Sequence, residues 1–270
     1  MTLTSNTRSN QSSSHGVSPQ SLGEAAALAI ATGRPALLIL ASRTPSKLEA
    51  IAERVREVVL GQGDPATTSG GAQGAAAPGA SGGTVVATVV LDQSSLAATR
   101  QGAGEIAART GRLDIILNNA GVCVNTRQTS ADEFELTWAV NHLGAFLPPD
   151  HTTAPATQEG GNRERQPRLH TSPSSGLGYK VRQTHKEFRD MLETVRKDAW
   201  KSTDEGISPV LAAAFGPSIT ESDAFLFDEN FKVPEPAPHA SDKKIAEKLW
   251  MLSEYLTGLS PETPGDNKLL

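Results

Sequence analysis

An α/β fold built on an open parallel sheet is what the sequence predicts, on three observations. Three short apolar runs, 36–41, 84–91 and 113–117, have strand length and read as buried strands. A helical pattern follows each of the first two. Leu48, Ile51, Ala52, Val55, Val58 and Val59 form a 3.6-residue stripe after the first, and Leu96, Ala103, Ile106 and Ala107 line a helix after the second. Strands alternating with helices argue for parallel pairing through helical crossovers. Finally, the third run continues as Asn118-Asn119-Ala120-Gly121. Two amides and two small residues at the carboxyl end of a buried strand suit the rim of a ligand crevice, which in open parallel sheets forms outside the strand ends.

Composition narrows the classes. The chain has 270 residues, room for one large α/β domain or two small ones. Hydrophobic residues make up 37% and aromatic residues 4%, thin for a single core of this length, so part of the chain is expected to stay unpacked. The net charge of -5, without a basic patch, speaks against a nucleic-acid partner. A single cysteine, Cys123, rules out an intrachain disulfide framework. It reads as a small filler residue. The six histidines form no metal-ligand pair. No run reaches membrane-spanning length and the N-terminus lacks a secretory apolar core, so the expected compartment is cytoplasmic.

Residues 1–15 are polar and aperiodic and read as a disordered tail. Residues 16–24 read as a glycine-containing turn that opens a small-residue helix, with Ser21 as N-cap and Glu24 at the capping-box position. Gly16 and Gly23 would let a phosphate approach the backbone at the helix N-terminus, and a plain turn is the competing reading. Such a turn should follow a buried strand. No apolar run precedes it, so the first strand is expected to be missing.

Downstream, Thr44-Pro45 starts the helix after strand 36–41, with proline at the first helical position. Arg43 stands at that strand's end, where a cation can pair with a 2′-phosphate and an acid would bind the free hydroxyl. If a dinucleotide binds, NADP is favoured, with NAD as the alternative. A solvated loop arginine competes with this reading. Residues 61–83 are of low complexity and read as a flexible loop. Asp92 follows strand 84–91 as a helix-start carboxylate, with Ser94 or Ser95 as cap. Ser130 and Glu133 are spaced as a capping box for a helix carrying Phe134, Leu136, Ala139, Val140, Leu143 and Leu147.

Several of these segments share a resemblance. Asn118-Asn119-Ala120-Gly121 resembles the Asn-Asn-Ala-Gly signature of the short-chain dehydrogenase/reductases, and Asn141-His142-Leu143-Gly144 resembles that family's Asn-His-Leu-Gly. Leu91-Asp92-Gln93-Ser94-Ser95-Leu96 is similar to the family's Leu-Asp-Leu-Ser-Ser-Leu, whose aspartate bonds the adenine amino group. The turn resembles a Ser-Pro-containing fungal form: Gly16 and Gly23 match, His15 replaces the usual threonine, and Gln20 and Ser21 stand where a glycine is usual. The resemblance implies dinucleotide contacts at Gly16, Gly23, Arg43, Asp92, Asn119 and Gly121. It also makes Asn141 a remnant of a proton relay, beside a structural role as a helix residue bonding a neighbouring strand's backbone. His142 reads as structural. Residues 203–258 resemble the tail of the retinol-dehydrogenase-like and WW-domain-oxidoreductase-like fungal branch, with Leu249-Trp250-Met251-Leu252-Ser253-Glu254 as the best match. The implied fold is a degraded Rossmann-like doubly wound parallel sheet, one domain with missing elements and disordered inserts.

The resemblance breaks after residue 147. Residues 148–180 are polar and proline-bearing and read as a disordered linker or insert. The family's chemistry needs Tyr-x-x-x-Lys, so that a lysine one helical turn on can lower the phenol pKa. Tyr179 has Gln183 at that spacing, despite its neighbour Lys180, and Tyr255 has Leu259. Ser174 and Ser175 lie too near Tyr179 to serve as the family's serine. The expected organisation is a partial NAD(P)-binding region over 16–147, a helical region with a short strand over 181–260, family-like from 203, and a tail over 261–270. Within the helical region, 185–200 reads as an amphipathic helix and 223–228 as the strand.

Two functions follow. The first is an NADP-dependent oxidoreductase acting on a small carbonyl or alcohol, inactive as written. The second is a non-catalytic remnant or dinucleotide-binding module, the product of a truncated gene.

Overall fold

The computed structural model describes residues 11–15, 21–61, 83–122, 124, 126–147, 202–216 and 241–260. Its centre is a four-stranded parallel sheet in the order β3-β2-β1-β4, made of β1 (Gln11–His15), β2 (Leu37–Ser42), β3 (Val85–Val90) and β4 (Ile115–Asn118). The crossovers are α1 (Leu22–Ala31), α2 (Pro45–Gly61) and α3 (Leu96–Arg109). A further helical run, α4 (136–146), follows β4, and α5 (Thr203–Phe215) and α6 (Lys243–Leu256) complete the described elements. This is a Rossmann-like doubly wound sheet.

β2 forms because six consecutive residues, Leu-Leu-Ile-Leu-Ala-Ser, are all buried, as a strand covered on both faces requires. Leu38 and Leu40, with Leu117 of β4, join Leu22, Ile30, Leu48, Ile51 and Val55 under α1 and α2. Leu37, Ile39 and Ala41 meet Val89, Leu91 and Ile106 on the opposite face. α5 packs on the α1 side through Ile207, and Gly206 lets it close on Leu22: a Cβ there would lie 2.8 Å from Leu22 Cδ2.

Two expectations are corrected. The first strand is present. Gln11–His15, expected as part of a tail, pairs in parallel with β2 on one side and β4 on the other, at the centre of the sheet. Its neighbours' backbone groups need partners, and the segment reaches both ladders at once, so position outweighs its polar composition. The second correction concerns the start of α4. Ser130 and Glu133 do not open a helix. Ser130 Oγ accepts from the backbone N–H of Asp132 and Phe134, Thr129 bridges to Glu135, and Glu133 adopts φ 65°, closing a tight turn. The helix begins at Leu136, where the Glu135 carboxylate accepts from the N–H of Thr137 and Trp138 at 2.9 and 2.8 Å. A longer side chain one turn later thus takes over the capping.

The expected insert 148–180, the helix 185–200, the strand 223–228, Cys123, the first ten residues, the last ten and most of the low-complexity loop lie outside the described residues. Among the described residues no helix is long and apolar enough to cross a membrane.

Candidate functional site

Parallel pairing brings all four strand ends to one edge of the sheet. Register aligns His15 with Ala41 and with Asn118, and Ser42 with Val90. β2 connects away on one side of β1 and β4 lies on the other, so the chain reverses direction between β1 and β4. That is the switch point at which open α/β sheets hold ligands.

The expected residues gather at this edge. Arg43 follows β2 and is exposed; Asp92 follows β3; Asn119 and Gly121 follow β4, with Gly121 buried. Gly23 lies in the first turn of α1 and is buried. Gly16 lies outside the described residues. Ser21 caps α1, its Oγ accepting from the Glu24 N–H at 3.2 Å. Glu24 is 3% exposed, and its carboxylate pairs with Arg54 of α2. That pair fastens the first turn of α1 to α2 and offsets a negative charge at the helix end that attracts anions.

Asp92 is committed in part. Its Oδ1 accepts from both the N–H and the hydroxyl of Ser94, at 2.9 and 2.6 Å, so it builds the turn ahead of α3. Ser95 Oγ caps the helix at the Ala98 N–H, and Asp132 adds a bond to the Leu96 N–H. Asp92 thus shapes the turn that precedes the Ser95 cap.

Asn141 connects the crevice loop to α4. Its Oδ1 accepts from the Val122 N–H at 2.8 Å, and its Nδ2 donates to the Val122 carbonyl at 2.9 Å. Both ends of the amide are used on one backbone residue, just after Asn118-Asn119-Ala120-Gly121. The residue sits in a π-helical turn, Ala139–Leu143, which interrupts α4. Wide turns of this kind concentrate at functional sites. Gly144 permits the approach of α4 to the β3 side, since a Cβ there would meet Gln93 Cβ at 2.6 Å and the Gln93 carbonyl at 2.7 Å.

His142 turns the other way. Its ring stacks on Trp138 with centroids 4.2 Å apart, and Nε2 lies 2.7 Å from Ser253 Oγ of α6. Burial holds its pKa below the ordinary imidazole value. Sequence spacing carries no trace of this contact, because its partner is 111 residues away. Tyr255 is exposed on α6, while Tyr179, Lys180 and Gln183 lie outside the described residues. Among the described residues no His, Cys, Asp and Glu cluster could hold a metal ion.

The family profile described as short chain dehydrogenase matches residues 66–162. Human retinol dehydrogenase 13 is 46% identical over 57 residues, 21% of this chain and 17% of that protein. The short chain dehydrogenase/reductase dpchH of Colletotrichum higginsianum is 48% identical over 54 residues, 20% of this chain and 14% of that one. Over these stretches the chain is similar to short-chain dehydrogenases. The matched stretches span less than a fifth of each of those two relatives. In fold the chain also aligns with a crystal structure of an uncharacterized protein from Mycobacterium paratuberculosis, 21% identical, over 95% of this chain and 96% of that one, at a TM-score of 0.51. In an open parallel sheet of this kind the edge between β1 and β4 is where a ligand is to be sought. An anion-favouring helix start, a cation after β2 and small residues after β4 surround the switch point.

Proposed function

We propose that this chain is a retinol-dehydrogenase-like short-chain dehydrogenase/reductase that retains a site for NADP and has lost the machinery for hydride transfer. The observation that carries the first half is the β1–β4 switch point, with the Asn119–Gly121 loop held there by Asn141. The bound dinucleotide would supply the hydride chemistry. Gly16, Gly23, Asn119 and Gly121 would lie along it, and the exposed Arg43 guanidinium would meet a 2′-phosphate. Asp92 retains a carboxylate oxygen beyond the one used on Ser94, which could accept from an adenine amino group.

The second half rests on the sequence. Reducing a carbonyl leaves an alkoxide that must be protonated as it forms, and a positioned acid contributes about a hundred- to ten-thousand-fold. Neither Tyr179 nor Tyr255 has a lysine one helical turn on. Asn141, the remnant of the relay, uses both amide atoms on Val122.

Calorimetric titration is expected to show NADPH binding more tightly than NADH. Equal or reversed affinities would remove Arg43 from the site. NADPH oxidation with a panel of aldehydes, ketones and quinones is expected to be negligible. Turnover above about one per minute, still far under the common enzymatic range of about one to a thousand per second, would instead establish an active carbonyl or alcohol oxidoreductase. Its loss in Tyr179→Phe would then locate the acid.

A further inference from the structure

Adjacent residues on α4 hold two different parts of the molecule. Asn141 grips the Val122 backbone at the crevice, and His142 bonds Ser253 on the C-terminal helix. We propose that His142 is a positioning residue: through Ser253 it makes α6 the brace that keeps the Asn141 clamp closed on the crevice loop. The functional meaning of the brace rests on the dinucleotide reading above, but the brace itself does not.

The chemistry of the contact is directional. Ser253 is fully buried and has one hydroxyl proton, which it donates to the Leu249 carbonyl at 2.7 Å. It must therefore accept from His142, so the imidazole proton sits on Nε2. The ring has little freedom to leave that bond. Trp138 stacks on it at 4.2 Å and 26°, and Phe146 lies 6.1 Å away on the next turn.

α6 is anchored well enough to serve as a brace. Leu256 and Leu259 pack with Leu96, Leu143 and Leu147. Trp250 meets Phe146 edge-on at 4.9 Å, and Arg100 of α3 donates to the Thr257 carbonyl. The helix ends in a Schellman closure: Gly258 takes φ 68°, and the N–H of Leu259 donates to the Glu254 carbonyl at 2.8 Å. Thr257 is fully buried and also turns its hydroxyl onto the Ser253 carbonyl at 2.6 Å.

The π-turn gives this arrangement a reason. A π-turn has poorer internal hydrogen bonding than an α-helix and persists where outside contacts hold it. Here the outside contacts include the hydrogen bonds of Asn141 and His142, two supports on adjacent residues within Ala139–Leu143. Releasing the His142 bond removes one of the two supports, and the turn can relax toward regular helix. Such a change rotates Asn141 relative to Val122.

The Val122 amide proton reports the clamp, because Asn141 Oδ1 is its acceptor. Hydrogen exchange measured on the full chain without nucleotide is expected to speed up about fivefold at Val122 in Ser253→Ala and in His142→Phe, the factor for a hydrogen bond's typical net worth. The phenylalanine keeps a ring on Trp138 but loses the donor. The amides of Leu38 to Leu40 in β2 should stay as protected as before. His142→Gln, which offers an amide N–H, should restore Val122 protection. Unchanged Val122 exchange in Ser253→Ala overturns the brace, as does equal loss at Val122 and β2, which would mean general destabilisation. NADPH titration of the same proteins separates the two ideas. If the wild type does not bind NADPH, the dinucleotide reading fails while the Val122 result still decides the brace.

Discussion

β1 and β2 lie side by side, in register from Gln11 opposite Leu37 to His15 opposite Ala41, yet their compositions have almost nothing in common. β2 is Leu-Leu-Ile-Leu-Ala-Ser, buried throughout and shared between two cores. β1 is Gln-Ser-Ser-Ser-His. One strand is fixed by what its side chains bury. The other is fixed by two ladders of backbone hydrogen bonds offered by its neighbours. The difference teaches where the sheet's stability resides, and it can be broken first at β2. Leu38 is fully buried beneath α1 and α2, and Leu38→Ala is expected to cost about 2–5 kcal/mol. Urea unfolding of the two proteins measures it. A loss under about 1 kcal/mol, well below that range, would mean that β2 is not the anchor.

The same contrast explains what could be read in the sequence. β2, β3, β4, α2 and α3 announce themselves through apolar runs and a 3.6-residue period; burial of their own residues makes β2, β4, α2 and α3, whereas in β3 Val89 alone is buried. Ser21 and Ser95 are legible for the same local reason, as caps. β1 is illegible by composition. The signal that could have found it is topological: a turn and helix of this kind need a preceding strand, and Gln11–His15 is the segment placed to supply it. α4 starts after Glu135 rather than at Ser130, because Ser130 closes the turn bridged by Thr129 and Glu135, a closure that local spacing does not encode. Of the candidate site, Arg43, Asp92, Asn119, Gly121 and Gly23 could be named from motifs and do share the sheet edge. Asn141, expected to bond a strand's backbone, instead bonds Val122 in the loop after β4; that choice, and the bond of His142 to Ser253, depend on packing that no local pattern encodes.

α4 repeats the contrast on a smaller scale and sharpens it through pH. Glu135 holds backbone amides at the helix start, and the N–H groups of Thr137 and Trp138 keep its pKa below the ordinary 4.5. His142 holds a side chain on another element, and burial keeps its pKa below the ordinary 6.5. The charged groups around that contact are Glu254, whose carboxylate takes the Trp250 indole N–H, Arg100 at the Thr257 carbonyl, and Glu135 at the head of α4. A lowered histidine pKa means the unfolded chain takes up the proton first as pH falls below 6.5. Stability from neutral His142 is therefore complete above that value and declines as pH drops toward the folded pKa. The carboxylate follows the same direction in a lower window. Glu135 contributes above 4.5, and its share is lost as pH falls through its depressed folded value. Thermal unfolding followed from pH 8 to 5 should show the first decline in the wild type and a flatter profile in His142→Gln. An identical slope in both would place the titrating group elsewhere.

The smallest expected effect is the one that tests β1 directly. If backbone ladders alone hold this strand, its side chains are replaceable, and a better strand former should do at least as well. Ser13 is the position to ask, because register sets it between Ile39 of β2 and Ile116 of β4, both buried. Serine is a weak strand former that competes for its own backbone through the hydroxyl, whereas valine fits a pleated surface between such neighbours. The whole range of strand propensities is about 1 kcal/mol, so Ser13→Val should raise stability by a few tenths to about that amount. Leu38→Ala in the adjacent strand would cost several times more. Urea midpoints at unchanged slope give both numbers on one scale. A loss of more than about 1 kcal/mol in Ser13→Val, larger than propensity can explain, would show that the serine hydroxyl itself is part of what holds β1, and the two strands would then differ less in how they are fixed than their sequences suggest.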